Sequence, residues 1–301
     1  MNKSDWPNFD QFADFMRERH EIYVRRQKGQ AAPWTVDPVL QTYRFCNVYR
    51  ELDTVTIWVR QNIREPFADH PNLWFMLCAA RQINHPGTLA ELIADKKAWP
   101  HAKDLSKWEP ERLRAIMNDR KARGAQVYTG AYMLTNVLNK NDPRPHDKPW
   151  FTAYKVLGNV RDMQKEVQAA IPVSMEATHA VLRTGYGWGG FMAYEVVCDM
   201  RWTALGGHWP DINTFAHAGP GALRGLNIVE GKPKTTPRKE APALSMMQAL
   251  LAETRREWPK PSKLYPRLEL REIEHSLCEY DKWSRVRNGE GAPRSKFKPS
   301  T

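Results

Sequence analysis

Residues 181–227, VLRTGYGWGGFMAYEVVCDMRWTALGGHWPDINTFAHAGPGALRGLN, decide how the rest of the chain is read. A helix-like apolar run is broken by Gly185, Gly187, Gly189 and Gly190, and a second apolar run, Phe191 to Met200, follows at once. Glycine at that density gives the backbone positive φ and lets it approach a ligand closely. The amides that open the next helix can then hold a phosphate. Downstream come a lone acid in a turn, Asp211, and a second glycine turn, Gly219-Pro220-Gly221. A tight helix–helix turn would also explain the first cluster, and Asp211 after Trp-Pro would also suit a helix N-cap.

Outward from that stretch, helical periods dominate and no series of alternating strands is visible, so the fold is expected to be mainly α. Residues 5–29 read as an amphipathic helix with a strongly basic second half, which is either a solvated face or a phosphate-contacting arm. The segment 37–60 has apolar residues at helical spacing (Phe45, Val48, Tyr49, Leu52, Val55, Val59) behind an Asp37-Pro38 start, and predicts one helix with a buried stripe. Arg44 and Asp53 border that stripe, whereas Asn47 and Arg50 face outward; Arg50 and Asp53 also have the spacing of an ordinary i,i+3 pair. Residues 72–80 are apolar all round, as in a central helix. Helices are also predicted over 88–97, 108–123, 160–170, 245–258 and 268–283. Residues 126–138 suit a strand or a buried helix equally, and 139–149 a loop. The domain reading is a basic N-terminal helix (1–30), one compact helical catalytic domain (31–283) with an exposed loop at 231–243, and a basic tail (284–301).

With 301 residues the chain can bury a sizeable core. Lys and Arg number 45 against 34 Asp and Glu, a net charge of +11 that favours a polyanionic partner, nucleic acid first. The four cysteines lack CxxC spacing and imply neither a disulfide framework nor a zinc or iron–sulfur site. No leader or membrane span is apparent, which fits a cytoplasmic protein. On 268–283, Glu274, Cys278, Asp281 and Arg285 share a helix face. That face is either solvated or lines an amine pocket, with the acids for an ammonium and Arg for a carboxylate. His275 and Cys278 at i,i+3 are two ligands without a third, so no metal is expected, and no cofactor is implied.

The order Gly187-Trp188-Gly189, then Phe191-Met192-Ala193, then Asp211, resembles the helix-hairpin-helix of the DNA glycosylase superfamily. There a glycine hairpin binds DNA phosphate and a downstream Asp does base chemistry. The hairpin here lacks the Lys of lyase-type members, the acid sits in Trp209-Pro210-Asp211, and the four-cysteine cluster of some members is missing. Four blocks narrow the likeness: DPVLQTYRFCNVYRELD from 37, GYGWGGFMAYEVVCDMRWT from 185, AGPGALRGLN from 218 and EHSLCEYDKWSRVRNGEGAPR from 274. They resemble the α-glutamyl/putrescinyl thymine pyrophosphorylase family of phage amino acid:DNA transferases over about residues 30 to 297.

The resemblance implies a glycosylase-like helical bundle that hypermodifies thymine in the DNA of an infected bacterium, working after a 5-hydroxymethyluracil DNA kinase. A small amine, glycine first and putrescine or another amino acid otherwise, would displace phosphate or pyrophosphate from the C5-methylene of phosphorylated 5-hydroxymethyluracil in DNA. That chemistry needs a proton acceptor, for which Asp211 and Asp53 are the candidates. It needs phosphate and substrate ligands, drawn from Arg44, Asn47, Arg50, Gly219, Gly221, Arg224, Glu274, Asp281 and Arg285. Gly187, Trp188 and Gly189 would hold DNA, and Trp188 or Trp209 would stack beside an extruded base. A base-excising glycosylase and a non-catalytic helix-hairpin-helix DNA-binding protein are the alternatives.

Overall fold

The computed structural model describes residues 3–130, 147–293 and 295–297. Its helices, in chain order, begin with α1 (Phe9–Gln27) and α2 (Pro38–Thr42). Then come α3 (Thr54–Val59), α4 (Leu73–Ile83), α5 (Pro86–Ala94), α6 (Pro110–Ala122), α7 (Lys148–Trp150), α8 (Gly158–Asp162), α9 (Gln164–Ala170), α10 (Met175–Leu182) and α11 (Gly189–Met200). The last are α12 (Pro220–Val229), α13 (Glu240–Glu257) and α14 (Leu270–Arg287). Two wider π-helical segments, Arg60–Arg64 and Phe151–Leu157, extend α3 and α7. The mainly α expectation is met: among the described residues the β pairing is a single isolated bridge, Tyr43 with Lys296. Most of 126–138, where strand and helix were equally allowed, and of the 139–149 loop lies outside the described residues. No described helix is long and apolar enough to cross a membrane.

Contacts divide the chain into two compact units, one of Met1–Asp53 with Ile212–Thr301 and one of Thr54–Asp211, a division that falls inside the 31–283 stretch. In the first unit α14 is the central helix. Its Leu270, Ile273, Leu277 and Tyr280 are fully buried. The α1 aromatics Phe12 and Phe15 pack against Tyr280, edge-on and tilted, at 5.4 and 5.7 Å between ring centroids. α12 lies along α14 so closely that a Cβ on Gly225 would stand 2.3 Å from the Leu277 carbonyl oxygen, and one on Gly221 2.4 Å from Cys278 Sγ. In the second unit α4 is the core, every residue from Leu73 to Ile83 being buried. It carries a buried pair: Arg81 donates through Nε to Asp199 Oδ2 (2.5 Å) and through a terminal nitrogen to Oδ1 (2.6 Å). Glu195 lies one turn before Asp199 on α11, 4.0 Å from Arg81.

The predicted helix over 37–60 is broken. Asp37 caps α2 as expected, accepting from the amides of Val39 (2.8 Å) and Leu40 (2.9 Å). The helix then stops at Tyr43, which turns extended (φ −113°, ψ 152°). Its backbone groups have better partners: Arg44 N–H donates to Ser295 O (3.1 Å) and Phe297 N–H to Thr42 O (2.9 Å). Side chains replace helical bonds over the next residues, with Cys46 N–H donating to Glu279 (3.0 Å) and Asn47 N–H to Asp53 (2.9 Å). Phe45, Val48 and Tyr49 are buried as their spacing predicted, but from an irregular strap in place of a helix face.

Candidate functional site

In the first unit the strap 44–53 and the facing turns of α14 gather polar side chains. Asp53 Oδ1 accepts from the backbone (2.9 Å) and side-chain (3.1 Å) amides of Asn47, and its other oxygen takes Arg50. Arg19, from α1, donates to Asn47 Oδ1 (3.0 Å) and Phe45 O (2.9 Å). Burial pushes that guanidinium down to about 10, with Cys46 and Glu279 opposing the shift. Asn47, Arg50 and Asp53 are thus brought together, as ties that shape the strap, while Arg44 is exposed. His275, on α14, is half-buried beside this network, with its Nε2 atom sealed from solvent. Burial, reinforced by Arg50, Arg271, Lys282 and Arg19, holds its ring neutral, well below the usual imidazole range.

The second gathering lies where α12 meets α14. Asp281 is 1% exposed and accepts from Arg224 Nε (3.0 Å) and a terminal Arg224 nitrogen (2.8 Å), both on Oδ2. Arg285 Nε stands 3.4 Å from the same oxygen. The other oxygen, Oδ1, is buried with no hydrogen-bond partner. Hydrogen bonding to Asp281 raises the Arg224 guanidinium above its ordinary value. Glu274 is buried too, 3.0 Å from Arg271. On the Glu274/Cys278/Asp281/Arg285 face both acids are buried, while Arg285 stays part-exposed. Cys278 itself is pushed up to about 12, chiefly by burial, so it is a packed thiol and no nucleophile. Gly221 belongs with it as a contact residue, whereas a Cβ on Gly219 would meet nothing within 4 Å.

The second unit holds the remaining candidates. Between α10 and α11 the chain turns through Gly187 (φ +78°) and Gly189 (φ +52°), the left-handed region where glycine carries no Cβ penalty. Tyr186 and Phe191 flank the turn at 43% and 44% exposure. Trp188 does the opposite of what its motif position suggested: it is 1% exposed and its Nε1 donates to Val156 O (3.3 Å). Trp209 is buried as well, donating to Ile171 O (2.6 Å). Neither indole is available for stacking on a base. Asp211 accepts from Met175 N–H (2.9 Å) on one oxygen and Glu176 N–H (2.8 Å) on the other, so it closes the first turn of α10 from outside. Ser174 supplies the ordinary cap, accepting from Ala177 N–H (3.0 Å).

Sequence reasoning passed over two clusters. The Arg81–Asp199–Glu195 group left a trace, two acids four residues apart inside the apolar run 191–200, which in a buried helix demands a cation. The second joins Cys46 to His275 and Glu279, whose ligand atoms lie within 4.8 Å of one another. His275 and Glu279 are one turn apart on α14, but nothing local ties Cys46 to them.

Comparison with known proteins places the chain. It is 27% identical over 234 residues to a 5-hmdU DNA kinase of Bacillus phage SP10. The match takes in 70% of this chain and 34% of the phage protein, so the chain spans about a third of that relative's length. No solved structure matches it. The family model described as "5-hmdU DNA kinase, helical domain" matches residues 7–292, nearly the whole chain, which therefore belongs to that family.

Proposed function

We propose that the chain works in the modification of 5-hydroxymethyluracil in DNA, as the component that joins a small amine to the phosphorylated base. Nitrogen of the amine forms a bond to the C5-methylene, the methylene–oxygen bond to phosphate or pyrophosphate breaks, and the leaving group departs with the electron pair. The observation that carries this reading is Asp281, a buried carboxylate with one oxygen unpartnered and Arg224 and Arg285 at the other. An α-amino acid offers the complementary pair, an ammonium for Oδ1 and a carboxylate for the guanidiniums. Family membership supports 5-hydroxymethyluracil DNA as the substrate. Asp53, in the same unit as Asp281, remains the proposed proton acceptor, although it must yield some of its present hydrogen bonds to serve. The turn at Gly187 and Gly189 would grip the DNA backbone, with Tyr186 and Phe191 taking the stacking role first given to the tryptophans.

The relative's name supports a second reading, in which these helices hold DNA for a phosphoryl transfer performed elsewhere. These residues contain no G-x-x-x-x-G-K-[ST] run, so a P-loop of that form is not built into them. One assay separates the readings. DNA bearing phosphorylated 5-hydroxymethyluracil is incubated with the protein and glycine, putrescine or another amine, digested to nucleosides and weighed. An amine adduct is expected, an abasic product would instead mark a glycosylase, and no change with any amine sinks the transferase reading. Asp281→Asn should raise the KM for the amine by about 10- to 100-fold, the loss expected when a charged hydrogen bond is removed, with DNA affinity unchanged.

A further inference from the structure

We infer that Cys46, His275 and Glu279 form a binding site for one divalent transition-metal ion of the zinc class. One donor atom from each, a thiol sulfur, a ring nitrogen and a carboxylate oxygen, lies within 4.8 Å of the others. Donors sharing one tetrahedral zinc stand about 3.3–3.7 Å apart, so a small closing of the three side chains brings them onto one ion. An independent observation points the same way: His275 Nε2 is sealed from solvent and has no hydrogen-bond partner. Buried polar atoms in folded proteins are satisfied almost without exception, and an imidazole nitrogen left over in a polar cluster asks for a ligand.

The donor set selects the metal. Thiolate and imidazole favour zinc, cobalt or nickel over magnesium and calcium, which want oxygen. Glu279 is already oriented, Oε2 accepting from the Cys46 amide (3.0 Å), so the backbone of one ligand steers the side chain of another. Charge works against a cation here, and it shapes the prediction. Arg50, Arg271, Lys282 and Arg19 surround the ring; the first three pair with Asp53, Glu274 and Glu279, while Arg19 donates to Asn47 and the Phe45 carbonyl. A thiolate at Cys46 and the Glu279 carboxylate supply two negative charges, and Lys282, which shares Glu279 at 2.6 Å, must move aside when the ion enters. Three protein donors leave one position for water or substrate.

The test uses the full chain, stripped with chelator and titrated with Co2+, which reports thiolate ligation by a charge-transfer band. One equivalent is expected to bind with that band, and Zn2+ to displace it. Cys46→Ser should abolish the band and weaken Co2+ binding at least about tenfold, while Cys278→Ser, one helical turn along, leaves both unchanged. Because His275 variants risk misfolding, the third arm is chemical: bound Zn2+ should protect Cys46, but not Cys198, from alkylation read by mass spectrometry. Binding without the band, a band that survives Cys46→Ser, or no protection of Cys46 each overturns the assignment.

Discussion

Residues 185–190 and 219–225 look alike in sequence, each a run of glycines leading into a helix, and they do different work. At 185–190 two of the four glycines serve conformation: Gly187 and Gly189 have φ of +78° and +52°, and the chain reverses between α10 and α11. At 219–225 no glycine has positive φ, and two of the three serve proximity. Gly221 and Gly225, one turn apart on α12, present bare backbone to α14. A glycine-rich stretch therefore has at least three physical meanings, a left-handed turn, a ligand approach and a helix crossing. Only the spacing hints at which: i,i+2 suits a turn, and i,i+4 marks one face of a helix.

The sharpest way to break the contrast is to add a methyl group on the packing side. Gly225→Ala sets a Cβ 2.3 Å from a backbone oxygen that cannot swing away, so α12 and α14 must separate. Overpacking of this kind costs about 3 kcal/mol, and thermal unfolding of the variant should show a large fall in Tm. An unchanged Tm would mean that the helices do not cross so closely.

The helix that receives those glycines carries a pH dependence of its own. Glu272, in the first turn of α14, is buried and its acid group is pushed up to about 8, first by burial and then by Glu269. Its folded value lies above the ordinary 4.5, so the neutral form is the one the fold accommodates. Its stabilising contribution is complete below 4.5 and is lost as pH rises through about 8. Melting temperature should accordingly decline between these limits. Glu272→Gln keeps an oxygen to accept the Glu269 amide, 2.8 Å away, and should flatten that slope. A variant with the same slope would acquit Glu272.

How far the sequence could be read follows the same division between local and distant causes. The helical class, the Asp37 cap and the burial of 72–80 rest on local signals, and the chain folds accordingly. The break at Tyr43 was illegible because its cause is the pairing with Ser295 and Phe297 at the far end of the chain. Trp188 and Trp209 were read by residue type as stacking surfaces, yet their indole nitrogens find buried carbonyls, which only packing reveals. The polar face of α14 was legible as a face and not as a buried one, since its cover comes from α12. Cys46 beside His275 left no trace at all.

The smallest expected effects divide the two stretches most cleanly. Gly187→Ala forces an L side chain into positive φ and sets its Cβ 2.9 Å from Val156, at a cost of about 1–2 kcal/mol. Gly219→Ala meets no atom within 4 Å and keeps φ at −69°, so stability should stay within about 0.5 kcal/mol of the parent. Chemical denaturation measures both. The Gly219 variant then becomes the clean probe of function, because its fold is untouched. If the amides at the start of α12 hold the leaving phosphate, a methyl group there should slow amine transfer while melting is unchanged. Activity equal to the parent would confine 219–225 to packing and leave phosphate to the arginines.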